Sequence, residues 1–197
     1  MIAATITWVG GVTPANASGT LIHEAKYGFS FSLPNDWNQL PLTGKGVATV
    51  LNKVTKNDPS LRTTLTKEVK QDAKTDIKFF AIGPVLDGFA SNINVIVISS
   101  AGYPNNSSYY SIAESQINSN LVGAGFKNLD ISEVQLPIGK EIEGMYKLPL
   151  AMSAIQAYGT QLYIKYKTHI EIVTFTSHSK SVNEAAFKVL ANSWQWN

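Results

Sequence analysis

Cysteine is absent from all 197 residues. That excludes disulfides, thiolate nucleophiles and cysteine-ligated structural zinc together. Arginine is nearly absent too: of 16 basic residues only Arg62 carries a guanidinium. Bidentate recognition of phosphates and base edges relies on arginine, and the formal charge is only +2. Nucleic acid is therefore not an expected partner. Charge of either sign is scarce, at 15% of residues against about 25% in an average globular domain. Serine, threonine, asparagine and glutamine carry much of the surface polarity instead, a pattern common in exported bacterial proteins. No apolar run reaches the ~20 residues that cross a bilayer as a helix. The zincin, nucleophile-elbow, phosphate-loop and dinucleotide-binding motifs are missing, and Gly10-Gly11 has neither the spacing nor a following helix.

A hydrophobic fraction of 44% over this length suffices for one well-buried core and is short for two. Residues 2–12 form an apolar run of the length of a signal-peptide core, and Ala15-Asn16-Ala17 follows as an A-x-A cleavage pattern. The positive flank of an export signal is missing. The competing reading is an ordinary strand with a Gly-Pro tail. The expectation is a truncated export signal or tail over 1–19, a single domain over 20–197, and an extracytoplasmic location in the secreted or envelope fraction.

Phe29, Phe31 and Leu33 alternate with Ser30 and Ser32, a half-buried strand that Pro34 ends. Trp37 then folds back over the strand end as a core anchor. Val47, Val50, Leu51 and Val54 recur at helical spacing. Asp58 and Pro59 read as the N-cap and first position of a second helix, striped by Leu61, Leu65 and Val69. Residues 77–82 and 91–99 are β-branched strands, separated by Gly83-Pro84 and Asp87-Gly88 turn chemistry. A polar loop over 101–108 leads into a third helix with Ala113, Ile117 and Leu121 on its apolar face, ended by Gly123-Ala124-Gly125. Residues 131–136, 141–148, 154–166 and 168–176 predict a strand meander. Ser181 and Glu184 read as a capping box opening a last helix, whose buried stripe is Phe187, Leu190, Ala191 and Trp194.

Hairpin-connected strands with helices before and after predict an α+β fold with an antiparallel sheet. Ile170 and Ile172 are followed by Val173 and Phe175, a break in alternation that means either a bulge or a sheet covered on both faces. Helices on both faces are expected.

The segments YGFSFSLPNDW, IKFFAIGPV, GFASNINVIVIS and ISEVQLPIGKEIEG, with the ending YIKYKTHIEIVTFTSHS…FKVLANSW, resemble the PsbP-like α-β-α sandwich superfamily. That superfamily holds an extrinsic photosystem II protein, a Ran-binding nuclear import factor and exported actinobacterial proteins of the LpqN lipoprotein type. The last are the nearest in pattern, with a helical insert ending in a DPSL-like turn. The resemblance spans roughly residues 24 to 195 and implies a fold, with no catalytic residues to carry over. The chain departs from it in lacking the lipobox cysteine and in turning its late hairpin on Lys167-Thr168.

Chemistry is sparse. His23, His169 and His178 are far apart, each on or beside a strand, where a lone histidine is ordinarily a surface or satisfied residue. Asp72 with Asp76, and Glu141 with Glu143, are carboxylate pairs at spacings that usually mean solvated faces. Residues 45–78 carry eight basic against four acidic side chains. This basic helical pair, with Lys53, Lys56, Arg62, Lys67 and Lys70, reads as a solvated face or as an interaction surface for anionic headgroups or an acidic partner. Tyr109 and Tyr110 are the candidate exposed aromatic pair, although core packing of at least one of them is the favoured reading.

These readings point to a non-catalytic, monomeric interaction domain with no cofactor, no metal and a protein or envelope component as partner. The alternative is a carrier of a small apolar ligand or lipid, using a cleft lined by Phe79, Phe80, Tyr163 and Phe175.

Overall fold

The computed structural model describes residues 19–42, 46–56, 58–72, 76–104, 108–148 and 156–197, apart from the side chains of 68 and 70–72. The export-signal and cleavage readings lie outside the described residues. In chain order the elements are β1 (Gly19–Glu24), β2 (Phe29–Pro34), β3 (Asn38–Gln39), α1 (Gly46–Val54), α2 (Pro59–Asp72), β4 (Ile77–Leu86), β5 (Phe89–Ser99), α3 (Ser108–Gly123), β6 (Lys127–Leu136), β7 (Gly139–Lys147), β8 (Tyr158–Tyr166), β9 (His169–Ser177), α4 (Lys180–Ser193) and β10 (Gln195–Trp196). Two antiparallel sheets result, a small one ordered β1-β2-β10 and a large one ordered β3-β4-β5-β9-β8-β7-β6. No helix among the described residues is long and apolar enough to cross a membrane.

Both faces of the large sheet are covered, as expected. On the front face Phe79, Val95, Leu162, Val173 and Phe175 join one core with Phe29, Phe31 and Leu33 of β2 and Phe187 and Leu190 of α4. On the back, Phe80 and Ile82 lie under α1 and α2 at one end of the sheet. Ile142, Tyr146 and Ile170 lie under α3 at the other. This explains the broken alternation in β9: its register with β5 and β8 has no shift, and Ile170 and Ile172 serve the back while Val173 and Phe175 serve the front.

Trp37 anchors as expected, with its indole against Gly83, where a Cβ would stand 2.5 Å from the ring. Gly83-Pro84 is thus no turn. β4 continues through it with a register irregularity between Ile82 and Val85. The late hairpin turns on Lys167 at φ 46°, a left-handed residue that lysine adopts where glycine would be easier. α2 begins as the sequence implies, the Asp58 carboxylate accepting the Leu61 N–H at 2.9 Å. α3 is capped two residues past its end by Gly125, φ 84°, with Gly125 N–H bonded to Val122 O and Phe126 N–H to Leu121 O. The capping box at Ser181 is a misreading. α4 starts two residues earlier from Ser179, which makes no side-chain cap bond, and Glu184 pairs with Lys180 at 3.6 Å instead.

Candidate binding groove

α4 is fixed to the sheet at both ends. At its start Asn183 is buried; its amide donates to the carbonyls of Tyr158 and Phe175 at 3.3 Å each, and its oxygen accepts from Thr160. At its end Ser193 Oγ accepts the Ser32 N–H at 2.7 Å. Trp194, fully buried, stacks on Phe29 and Phe31 with ring centroids 4.7 and 5.2 Å away. So held, the helix covers the front of β8 and β9 and stops short of the sheet's free edge.

The front of β6 and β7 is left as the floor of a groove. Its main basin, about 490 Å³, lies between Val134, Leu136 and Met145 on the sheet and Phe187, Lys188 and Ala191 on the helix. Met145 and Glu184 continue it into a second depression of about 210 Å³ beside Asp130, Lys147 and Lys180. Glu143 lies on the floor, half-buried, and its carboxyl is held above the usual range by burial first and by Asp130 and Glu184 next. The groove is thus apolar at one end and rich in carboxylates, with lysines on its rim, at the other.

A second polar group sits where β7 and β8 part at the other end of their pairing. The Glu141 carboxylate, buried and pushed up to about 7 by burial, accepts the Lys165 N–H at 3.2 Å. Tyr110 donates to the Lys140 carbonyl at 2.9 Å. Tyr109 is buried with its hydroxyl unbonded; the Lys165 ammonium stands 4.9 Å from its ring centroid. Burial, and then the charge of Glu141, raise its phenol well above the ordinary 10. On the front face Glu171 is sealed from solvent and pushed up to about 8, by burial first and then by Glu141. Neither Glu141 nor Glu171 lines the groove.

The seven residues picked from the sequence are not brought together. Lys53, Lys56, Arg62 and Lys67 belong to the helical pair over the β4 end of the sheet, and Tyr109 and Tyr110 to α3 over the β7 end. Four strand spacings, roughly 19 Å, separate the two ends. Lys53 bonds Asn38 Oδ1 at 2.7 Å, and Arg62 Nε bonds Thr55 Oγ1 at 3.2 Å, tying α2 to the end of α1. Lys56 and Lys67 are exposed. Lys70 is on α2, its side chain outside the described set, as is that of Asp72. Tyr109 packs in the core, as expected of at least one of the tyrosine pair, and so is not part of an exposed surface.

Two further expectations fail. Phe79, Phe80, Tyr163 and Phe175 line no common cleft. Phe79 and Phe175 are packed on the front against Phe31 and Phe187, and Phe80 and Tyr163 are on the back. The Glu141/Glu143 pair is not a solvated face, since burial raises both. The groove itself escaped notice because it depends on where α4 stops, which no residue spacing encodes. The mixed polar and apolar positions along β6 and β7 were its available trace.

No protein-family model matches the sequence, and no curated protein sequence matches it. Solved structures do. One from Bacteroides thetaiotaomicron matches with a TM-score of 0.51 at 11% identity over 91% of this chain. The chain spans about half, 48%, of that protein's length. LpqN, involved in cell envelope biogenesis of Mycobacterium tuberculosis, matches with a TM-score of 0.48 at 10% identity, over 89% of this chain and 88% of LpqN. The likeness is one of fold. At these identities no residue's role carries across.

Proposed function

We propose that this chain is a non-catalytic binding domain working outside the cytoplasm, and that the groove between α4 and the β6–β7 edge receives its partner, a protein or envelope component. The observation that carries the reading is a helix fixed beside the uncovered β6–β7 margin of a sheet face, with an apolar end and a charged end. Such a concave surface on fixed elements suits recognition. Neither of the carboxyls raised furthest, Glu141 and Glu171, lines the groove, which supports binding over catalysis. The low charge and the signal-like run with its A-x-A pattern support export.

Photo-crosslinking in the source cells tests this. A photoreactive residue at Lys188 or Asn192, on the groove wall, should trap one discrete envelope species that a residue at Lys56 on the helical pair does not. Crosslinks from Lys56 alone would move the working surface to α1 and α2. Crosslinks from neither position would remove the binding reading.

A further inference from the structure

We propose that the groove's occupant is an extended, basic and apolar segment of a partner protein that pairs with β6 as an eighth strand of the large sheet. The inference rests on the groove being the working surface and names how it is used.

β6 is the edge strand of that sheet, so every second residue along it turns its N–H and C=O away from β7. Its first part is blunted. The register slips between Lys127 and Asp130, and Asn128 adopts φ 53°. From Asp130 to Leu136 the ladder with β7 is regular, which leaves a regular edge.

Both flanks of this edge are hollow. On the front, the groove runs beside Asp130, Val134 and Leu136. On the back, a depression of about 410 Å³ lies between Leu129 and Ile131 of β6 and Ser111, Glu114 and Asn118 of α3. A strand laid about 4.8 Å from β6 sends alternate side chains to the two sides. One set enters the groove under α4, and the other enters the hollow under α3. Backbone pairing supplies affinity and the two hollows supply selectivity, the mode of strand addition.

Charge selects the occupant. Asp130, Glu143 and Glu184 line the front groove together with Lys147, Lys180 and Lys188. Lys180 is taken up by Glu184, and the charges that bear on the half-buried Glu143 are those of Asp130 and Glu184, both raising its carboxyl. Mutual repulsion of this kind is relieved by a cation. On the back, Glu114 lines the hollow, while Glu133 is engaged by Lys140. The front-facing positions of the incoming strand should therefore alternate lysine or arginine, towards Asp130 and Glu143, with aliphatic residues, towards Val134, Leu136 and Phe187.

The probe is a short fluorescent peptide of repeating Val-Thr-Lys-Thr pattern, titrated by anisotropy into the full chain at low salt. Binding is expected, with a loss of about tenfold or more when the peptide lysines become glutamates, or when the protein carries Asp130→Asn with Glu143→Gln. Methylating alternate peptide amides in one of the two possible sets should abolish binding. Hydrogen exchange should show new protection at amides within 131–136. Shifts on α4 residues without that protection would overturn strand addition while leaving the groove as a binding surface. No binding of any peptide would overturn the proposal, the groove then being judged by the crosslinks alone. Protection of 131–136 in the free chain, rising with concentration alongside a dimer in sedimentation, would make a second copy the occupant and overturn the peptide.

Discussion

His169 Nε2 lies 2.7 Å from Glu171 Oε1, and the carboxyl it approaches is closed off from solvent entirely. The two atoms are close but out of line for a hydrogen bond, since neither carboxylate oxygen has one. Register explains the burial. Glu171 stands opposite Val97 on one side and Ile164 on the other, in the middle of the front face. Tyr166 sits edge-on to His169, and Trp196 of β10 stacks on Tyr166 at 4.0 Å. The last strand of the chain is thereby linked, through Tyr166, to the only imidazole that reaches this carboxyl among the described residues.

Stability should fall as pH rises from about 5 to about 8. The Glu171 carboxyl is pushed up from the ordinary 4.5 to about 8 and that of Glu141 to about 7, burial being the leading cause for both. The folded chain therefore holds protons that the unfolded chain releases above 4.5. Their stabilising effect is complete below that value and is lost as pH rises through 7 and 8. Urea midpoints at pH 5, 7 and 8.5 should decline in that order, and Glu171→Gln should flatten the decline. Equal midpoints in the wild type at all three values would show that the buried carboxyls keep ordinary proton affinity.

The two helix starts proposed from sequence should answer differently to alanine. Asp58 accepts the Leu61 N–H and also the Ser60 hydroxyl at 2.7 Å, contacts that hold its carboxyl below the usual range. Asp58→Ala should lower the melting temperature by a few degrees. Ser181 lies inside the first turn of α4, exposed, with its hydroxyl only on Ser179, and Ser181→Ala should leave it unchanged. Calorimetry of both variants decides, and a larger loss at Ser181 would restore the capping box.

That contrast marks how far sequence reading reaches here. Periodicity located the three apolar helix faces of Val47 to Val54, Leu61 to Val69 and Ala113 to Leu121, because each packs on one layer and needs one stripe. The two-sided sheet was legible from Ile170 to Phe175 for the same reason. The Ser181 box failed because S-x-x-E is satisfied equally by an i, i+4 ion pair one residue back, and the backbone took that option. Gly83-Pro84 read as a turn, although the glycine's role is to admit the Trp37 ring. Glu171 drew no notice, since a charged residue in an apolar run looks like the solvent side of a half-buried strand. The groove and the gap where β7 and β8 part are products of element lengths, visible only once α4 and β7 are seen to end.

Trp194 should be the costliest single truncation in the front core. It is fully buried against the neighbouring rings of Phe29 and Phe31, the second ring being parallel to it within 5°. Removing it leaves a cavity where α4 meets β2, so Trp194→Ala should cost about 3–5 kcal/mol in urea unfolding. Its indole N–H has no hydrogen-bond partner, so Trp194→Phe loses less than its size alone suggests, because an unsatisfied buried donor leaves with the ring. A phenylalanine variant as unstable as the alanine one would mean that the N–H is satisfied after all.

Asn183 ties fold to function most directly, because it fixes the wall of the groove at the charged end. Its amide and oxygen engage Tyr158, Phe175 and Thr160, so Asn183→Ala should cost about 1–3 kcal/mol through buried groups left without partners. The first turns of α4 should also loosen while its last turn, held by Ser193 and Trp194, does not. Hydrogen exchange should therefore accelerate around residues 183–187 and stay slow around 190–193. Partner capture from Lys188 should weaken with it, since a wall that moves binds with a larger loss of conformational freedom. If exchange accelerates evenly along the whole helix, α4 is held by the general packing of the core and not at its two ends. The rigidity assigned to the groove would then have to come from the sheet alone.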